Sequence, residues 1–566
     1  MSHAAPRAAP AAPGAIGGVV DLHTIGIDDV LKPGQTMGLL TTDMYGTNHY
    51  DGSGMVAAGW RFSPALDGVA AFSLRNSGDY EDGNGDTVPA SYQRLKSGLI
   101  KLDAVPGADQ VLRLGAIFYH NNFGSDADGV ETHDDIDSKT VNAEYRYTPA
   151  ALQLVDLHAN FYYVDTNLID QVPSFQAVTL APADTTHVGL TTLGGSADNT
   201  ARFDVGPLPA TVLFGGEYVH DAVSTTDQTG DAGETPSGTR SLGSLYTQGQ
   251  LTWNIFQLTG NLRYDHYELN GSGTNLTPGV TGVAVGPFNV NRSADGFSPK
   301  VTLAAALMHG LSIYGNYGLG FRPPAITETL FSGAHPGLDF LRFVPNPNLS
   351  PERTQGWEAG LKLDRHGVLV PADRVTLAAD YFYTRISGYI TQTLVVGPPD
   401  PASPIPIPVE AFFYQNAPGH TVTRGAELQA AYKSRLVFAN IAYTNVQTAL
   451  PRPDYTGFNA VLTAPPRSVF DATLGLTLLD QRLTLGARMR AATATVGQAS
   501  AETGVPISVP GYAVFDLFGS FALRPELRFF ASIDNVTNRQ YFLDALATDP
   551  TPGLTAKLGI TLALGR

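Results

Sequence analysis

Between Leu245 and Asp265 apolar and polar residues alternate one by one. Leu245, Thr247, Gly249, Leu251 and Trp253 fall on one face of an extended chain, and Tyr246, Gln248, Gln250 and Thr252 on the other. After a tight turn near Ile255 and Phe256 the pattern resumes, with Leu258, Gly260, Leu262 and Tyr264 on the first face and Thr259, Asn261, Arg263 and Asp265 on the second. A period of two puts successive side chains on opposite sides of a sheet, so the segment predicts a β-hairpin with one apolar and one polar face. Lipid suits the first face and a wet lumen the second.

The same short turn recurs at Ser63 to Leu66, Val105 to Asp109, Tyr147 to Ala151, Val205 to Pro209, Met308 to Gly310, Arg365 to Gly367, Lys433 to Arg435, Leu478 to Gln481 and Arg524 to Leu527. Longer polar segments separate these turns. They include Ser77 to Ser91, Asn121 to Ser138, Thr166 to Asn199, Asn270 to Ala294, Thr393 to Thr421 and Asn445 to Arg467. Short turns alternating with long loops predict an all-β transmembrane antiparallel β-barrel, with short periplasmic turns and long extracellular loops. Counting alternations from Gln35 to Arg566 gives about 22 strands. Loops of unequal length and the lack of a fixed period argue against a soluble propeller or solenoid.

Composition agrees. Only 15% of the 566 residues are charged, against about 25% for soluble proteins. Mean hydropathy is near zero, and no run of about 18 apolar residues marks a transmembrane helix. A barrel face averages to such a value, and its aromatic girdles call for the 24 Tyr and 27 Phe of this chain. There is no cysteine, which excludes disulfides, thiolate metal sites and cysteine nucleophiles. A net charge of -17 argues against a nucleic-acid partner. The acidic runs Asp79 to Asp86 and Asp126 to Asp137 match no calcium-loop spacing and read as solvated loop surface. No HExxH, GxSxG or phosphate-cradling glycine loop is present, so the chain does not read as an enzyme.

The chemistry concentrates in FRPPAITETLFSGAHPGLDFLRFVPNPNLSPE, Phe321 to Glu352. Pro323 and Pro324 end the preceding strand, and Pro345, Pro347 and Pro351 hold the return path extended. His335 therefore sits in a long loop braced at both ends, a suitable mount for an imidazole ligand. The bland reading is a solvated loop histidine. His49, His133, His187 and His420, in other predicted outer loops, read as solvated.

The FR-x-P and NPNL corners with a histidine between them resemble the seventh extracellular loop of TonB-dependent heme and hemoglobin receptors of the bacterial outer membrane. Pro323 stands where that family usually has Ala. GAIGGVVDLHT at Gly14 to Thr24 is similar to the end of the family's plug domain. DYEDGNGD at Asp79 to Asp86 is similar to a heme-receptor loop, and IDNVTNRQYF at Ile533 to Phe542 to the last loop region of the barrel. The resemblance implies that His335 is an axial ligand to heme iron and that heme, free or in a hemoprotein, is the transported ligand rather than an enzyme cofactor. It further implies the TonB energising complex as partner, acting through a plug, and location in the outer membrane. Arg342 or Arg322 would meet a propionate, and Phe331, Phe340 and Phe343 would cover the macrocycle. Tyr80 is the residue of the acidic run able to offer a phenolate, although a solvated or girdle tyrosine is the simpler reading. Arg322 and Arg353 read first as structural lumen-facing residues paired with Asp or Glu.

The domain reading follows. Residues 1–13 form a disordered Ala/Pro tract without the apolar core of an export signal, 14–34 a remnant of the plug end and linker, and 35–566 the barrel. Two other functions fit the same pattern: a TonB-dependent receptor for a ferric siderophore or another nutrient, and a truncated, plugless passive pore.

Overall fold

The computed structural model describes residues 23–127, 130–172, 184–227, 236–277, 281–308, 310–335, 338–399, 408–449, 458–460, 465–499, 506–543 and 549–566. The tract 1–13 and the start of the plug-like segment lie outside them.

The main sheet is an antiparallel ring. Strand Met37–Gly46 pairs on one side with Gly52–Ser63 and on the other with the last strand, Thr555–Gly565, so no edge remains. A closed ladder is the β solution to a lipid environment, where an unpaired backbone N–H or C=O has no water to bond. Of the sheet's 23 segments, Gly286–Phe297 and Lys300–Ala306 both pair with Phe256–Asn275. They are one strand interrupted at Pro299, which has no N–H to give the ladder. The ring is thus a closed 22-strand barrel.

The hairpin expected from the alternation is present, with Trp253 opposite Phe256 and Leu245 opposite Tyr264. Leu245 and Trp253 are 66% and 65% exposed, whereas Tyr246, Arg263 and Asp265 are 8%, 7% and 2% exposed. The outer face is therefore the apolar one. On the inner face Arg263 is paired with Asp265 at 2.7 Å and also with Glu217. At the turn, Asn254 takes φ 53°, the left-handed conformation that a two-residue hairpin connection demands. The rings of Trp253 and Phe256 stack 5.9 Å apart beside it, as an interfacial girdle does.

The structure departs from the sequence reading in two ways. Strands Gln110–Ala127 and Val130–Tyr147 take in nearly all of the segment Asn121 to Ser138 that reads as a loop, and Asp184–Val205 runs for 22 residues. Since about 10 residues cross a bilayer, these strands continue beyond the membrane. There both faces are wet, so the ladder persists while the alternation vanishes. The turn expected at Arg365 to Gly367 is instead a longer one, closed by Asp373, whose carboxylate accepts the N–H groups of Val368, Leu369 and Val370 at 2.7 to 2.9 Å.

Inside the ring, a four-residue helix, Ile27–Val30, buries Ile27, Val30 and Leu31 against the lumen-facing Ala57 and Val69. Beside it Lys101 donates to the Thr24 carbonyl at 3.0 Å.

Candidate ligand site at the outer mouth

The seventh outer loop, between strands Leu311–Arg322 and Glu352–His366, folds into a short helix and two strands, and its base is a charged node. The Arg322 guanidinium donates to Glu352 Oε2 at 2.6 Å and to both oxygens of Glu328 at 3.0 and 3.1 Å. Glu352 is 1% exposed, and its other oxygen accepts the Ile390 N–H at 2.7 Å. Such charge-assisted bonds hold a buried carboxylate only while every partner is present. Arg322 is thereby fixed as a structural residue and is taken from the propionate role. Arg353 lies over the Phe321 ring at 5.4 Å and is structural too.

The two proline corners also hold the loop to its neighbours. The Pro324 carbonyl accepts the Tyr267 hydroxyl at 2.9 Å, and the Pro345 carbonyl the Thr281 hydroxyl at 2.6 Å. Asn346 donates its side-chain amide to the Tyr414 carbonyl at 2.8 Å and accepts the Asn348 N–H at 3.1 Å. Helix Ile326–Leu330 is too short to stand alone. It is pinned by Leu330, which is fully buried in a cluster with Leu242, Tyr267, Leu269 and Phe288 of the barrel wall.

Beyond the helix, Gly333–His335 pairs with Leu338–Val344, with a register shift between Ala334 and His335, so that His335 stands opposite Leu338 at the hairpin end. Leu338–Val344 then runs parallel to Pro408–Asn416 of the eighth loop, which pairs with Ile390–Pro399, and Phe458–Ala460 of the ninth loop adds an edge. Three loops expected to be separate polar segments thus form one five-stranded sheet.

The backbone places His335, Phe340 and Arg342 together in this hairpin. The side chains of His335 and Phe340 lie outside the described residues. Arg342 is half-buried and stands opposite Ala334 and beside Ala411. Phe331 and Phe343 do not take the expected place over a ligand ring. They are 4% and 2% exposed, 4.1 Å apart, with Tyr414 5.4 Å from Phe331 and Phe412 6.2 Å from Phe343. They form the aromatic core of the loop sheet, next to the buried Val344, Ala411 and Phe413 of the same strands.

Tyr80 belongs to a second cluster, formed by the second and eleventh loops. Its phenol donates to the Pro550 carbonyl at 2.8 Å. Burial, with the charges of Asp549 and Asp82, pushes the phenol up to about 12. A phenol so held is a neutral donor at ordinary pH, and the geometry gives no support to an iron-bound phenolate. The acidic run around it is not merely solvated surface, because Asp82 is 3% exposed. Burial opposes its charge, but hydrogen bonds from Gln540 and from the backbone of Asn84, Asp86 and Gly85 hold its carboxyl below the usual range. Gly83 is required by close approach: a Cβ there would lie 2.1 Å from the Gln540 nitrogen.

Of the other histidines, His133 meets the Tyr92 hydroxyl at 3.0 Å and His420 the Ser387 hydroxyl at 3.0 Å. Two groupings escaped the sequence reading. His120, Asp135 and Asp137 bring donor atoms within 4.8 Å of one another, hidden because their segment reads as loop. A cavity of about 480 Å³ at the inner rim is lined by Arg75, Arg488, Arg490 and Lys557, which meet only because the ring closes.

A closed 22-strand ring with short turns at one end and interlocked loops at the other defines an outer-membrane receptor barrel. Residues 59–536 match the family described as TonB dependent receptor-like, beta-barrel, and the chain belongs to that family. It is a family of bacterial outer-membrane receptors and transporters, not of enzymes. TonB-dependent heme receptor A of Haemophilus influenzae (strain 86-028NP) is 24% identical over 539 residues, covering 84% of this chain and 71% of its own length. The hemin receptor of Yersinia enterocolitica is 23% identical, covering 67% of this chain and 54% of its own length; the chain therefore spans about half of that relative. Among solved structures, a double mutant of the Serratia marcescens hemophore receptor HasR, in complex with its hemophore HasA and heme, aligns with a TM-score of 0.79 at 25% identity, covering 95% of this chain and 82% of that one.

Proposed function

We propose that the protein is an outer-membrane receptor for heme, free or presented by a hemoprotein, which His335 binds at the extracellular mouth. The observation that carries this reading is the setting of His335: a hairpin end at the mouth, on a loop sheet anchored by Arg322, Glu328 and Glu352. The likeness to relatives named as heme and hemin receptors supports it.

In this reading the His335 imidazole gives a nitrogen to heme iron, Arg342 meets a propionate and Phe340 covers part of the macrocycle. Tyr80 contributes as a neutral hydrogen-bonded phenol of the opposite rim. Anchoring matters because a ligand on a loose loop loses the ordering entropy on binding, whereas the node and the aromatic core fix the hairpin beforehand. Residues 14–34 are read as the end of a plug and its linker and 35–566 as the barrel, with energised TonB acting through the plug.

The test is a hemin titration of the refolded protein and of His335→Ala, followed at the Soret band. A saturable shift in the wild type that the variant loses is expected. A shift of equal size in both removes His335 as ligand, and no shift in either removes heme.

A further inference from the structure

The cavity at the inner rim is an electrostatic exception. The chain as a whole carries a net charge of -17, yet this cavity holds Arg75, Arg488, Arg490 and Lys557 against a single lining carboxylate, Asp534. Asp516 lies behind the wall, 4% exposed, and binds Arg488 at 2.8 Å and Arg490 at 3.3 Å. Lys557 binds Asp534 at 2.7 Å. Two carboxylates thus serve four cations, and two positive charges stay in excess.

The excess has a location. Lys557 Nζ lies 4.9 Å from the centre of the Tyr50 ring, and the Arg75 guanidinium 5.6 Å from the same centre. Two cations share one ring, a weak attraction for each that does not cancel their mutual repulsion. Among the described residues Arg75 forms no ion pair, and it is exposed to the cavity. The Arg490 Nε–H, by contrast, is buried and has no hydrogen-bond partner among them. A buried donor left unmade is a cost to the folded chain. A bound anion would supply the countercharge that this excess lacks. The surrounding aromatic wall and a volume within the roughly 300–1,000 Å³ of small-molecule sites suit an aromatic ligand more than a bare ion.

We infer that this cavity is a binding site for the carboxylates of an aromatic dianion, and, on the function proposed above, for the propionates of a porphyrin. It is formed by the first, second and eleventh loops and the strands beside the ring closure, whereas His335 belongs to the seventh. It is therefore a separate anion-reading site across the mouth, where a porphyrin is held by its acid groups independently of iron ligation.

Metal-free protoporphyrin IX separates the two. It keeps the propionates and lacks the iron, and its dimethyl ester lacks the charges. The full chain in amphipol, with empty amphipol as blank, is titrated with each. The free acid is expected to bind at least about tenfold more tightly than the ester, the scale of one charge-assisted contact. Arg75→Gln combined with Lys557→Gln should bring that ratio close to one; Arg75→Gln alone, at an exposed position, guards against a folding defect and should lower it partway. Equal binding of acid and ester, a ratio that the variants leave intact, or no binding of either overturns the inference. The heme reading stands or falls separately, on the Soret shift with hemin and His335→Ala.

Discussion

The wall hairpin Gly238–Trp253 and Phe256–Asn275 and the loop sheet that carries His335 are both extended chain in ladders, but different forces select them. In the hairpin, partners are close in sequence, the two-residue turn sets the register, and lipid on one side and water on the other enforce the alternation. In the loop sheet, Phe343 pairs with Phe412 from another loop, and no lipid orders the faces. A small aromatic core and a few buried polar contacts replace the lipid. The wall spreads its specification over many weak, repeated signals, whereas the mouth concentrates it in a handful of residues, so single substitutions should act differently in the two regions.

The largest effect is expected at the node. Glu352→Ala leaves Arg322 with one carboxylate and strips the Ile390 N–H of its acceptor. Breaking a buried pair from one side costs on the order of 3 kcal/mol. Hydrogen exchange should rise over Ile326–Leu330 and Ile390–Pro399, while the wall strands stay protected. Uniform loss of protection would show that the wall and the mouth are one cooperative unit, erasing the contrast.

Next comes the wall. Leu262 is opposite Thr247, six residues from Trp253 at the girdle, which places it near mid-bilayer at about 3.3 Å per residue along a tilted strand. Leu262→Arg should cost about 2–4 kcal/mol in reversible unfolding from vesicles. Asn261→Arg, on the lumen face, should cost little. Equal penalties would mean that the faces are not lipid and lumen.

The difference between the regions also sets what the sequence could reveal. Leu245 to Asp265 betrays strand, turn and face, because each residue reports its own environment. The position of His335 between two proline corners is legible for the same local reason. Above the membrane the report stops: Asn121 to Ser138 is polar on both sides and reads as loop although it is ladder. Phe331 and Phe343 look like ligand-facing aromatics until Phe412 and Tyr414, from the next outer loop, are seen to cover them. Arg75, Arg490 and Lys557 become one cavity only through the pairing of Met37–Gly46 with Thr555–Gly565, which no local pattern encodes.

A smaller effect tests the corner. Asn346→Ala removes the bond to the Tyr414 carbonyl and frees the Asn348 turn, a loss of about 1 kcal/mol. Faster exchange confined to Pro408–Asn416 and its neighbours is expected. No change would assign the fixing of that corner to Pro345 and Pro347 alone.

The mildest perturbation needs no loss at neutral pH. The Tyr80 phenol is raised from 10.0 to about 12, burial being the first cause, so the folded loop holds its proton more firmly than the unfolded chain does. A group raised in this way contributes its full stability below about 10, the unfolded value, and loses it as pH climbs through the folded value near 12. Between these limits the contact of Tyr80 with Pro550 should loosen, read as rising phenolate absorbance together with greater proteolytic access to the eleventh loop. Tyr80→Phe should weaken that contact at every pH and abolish the alkaline step. If the step survives in the variant, another group opens the mouth, and Tyr80 is not what joins the second loop to the eleventh.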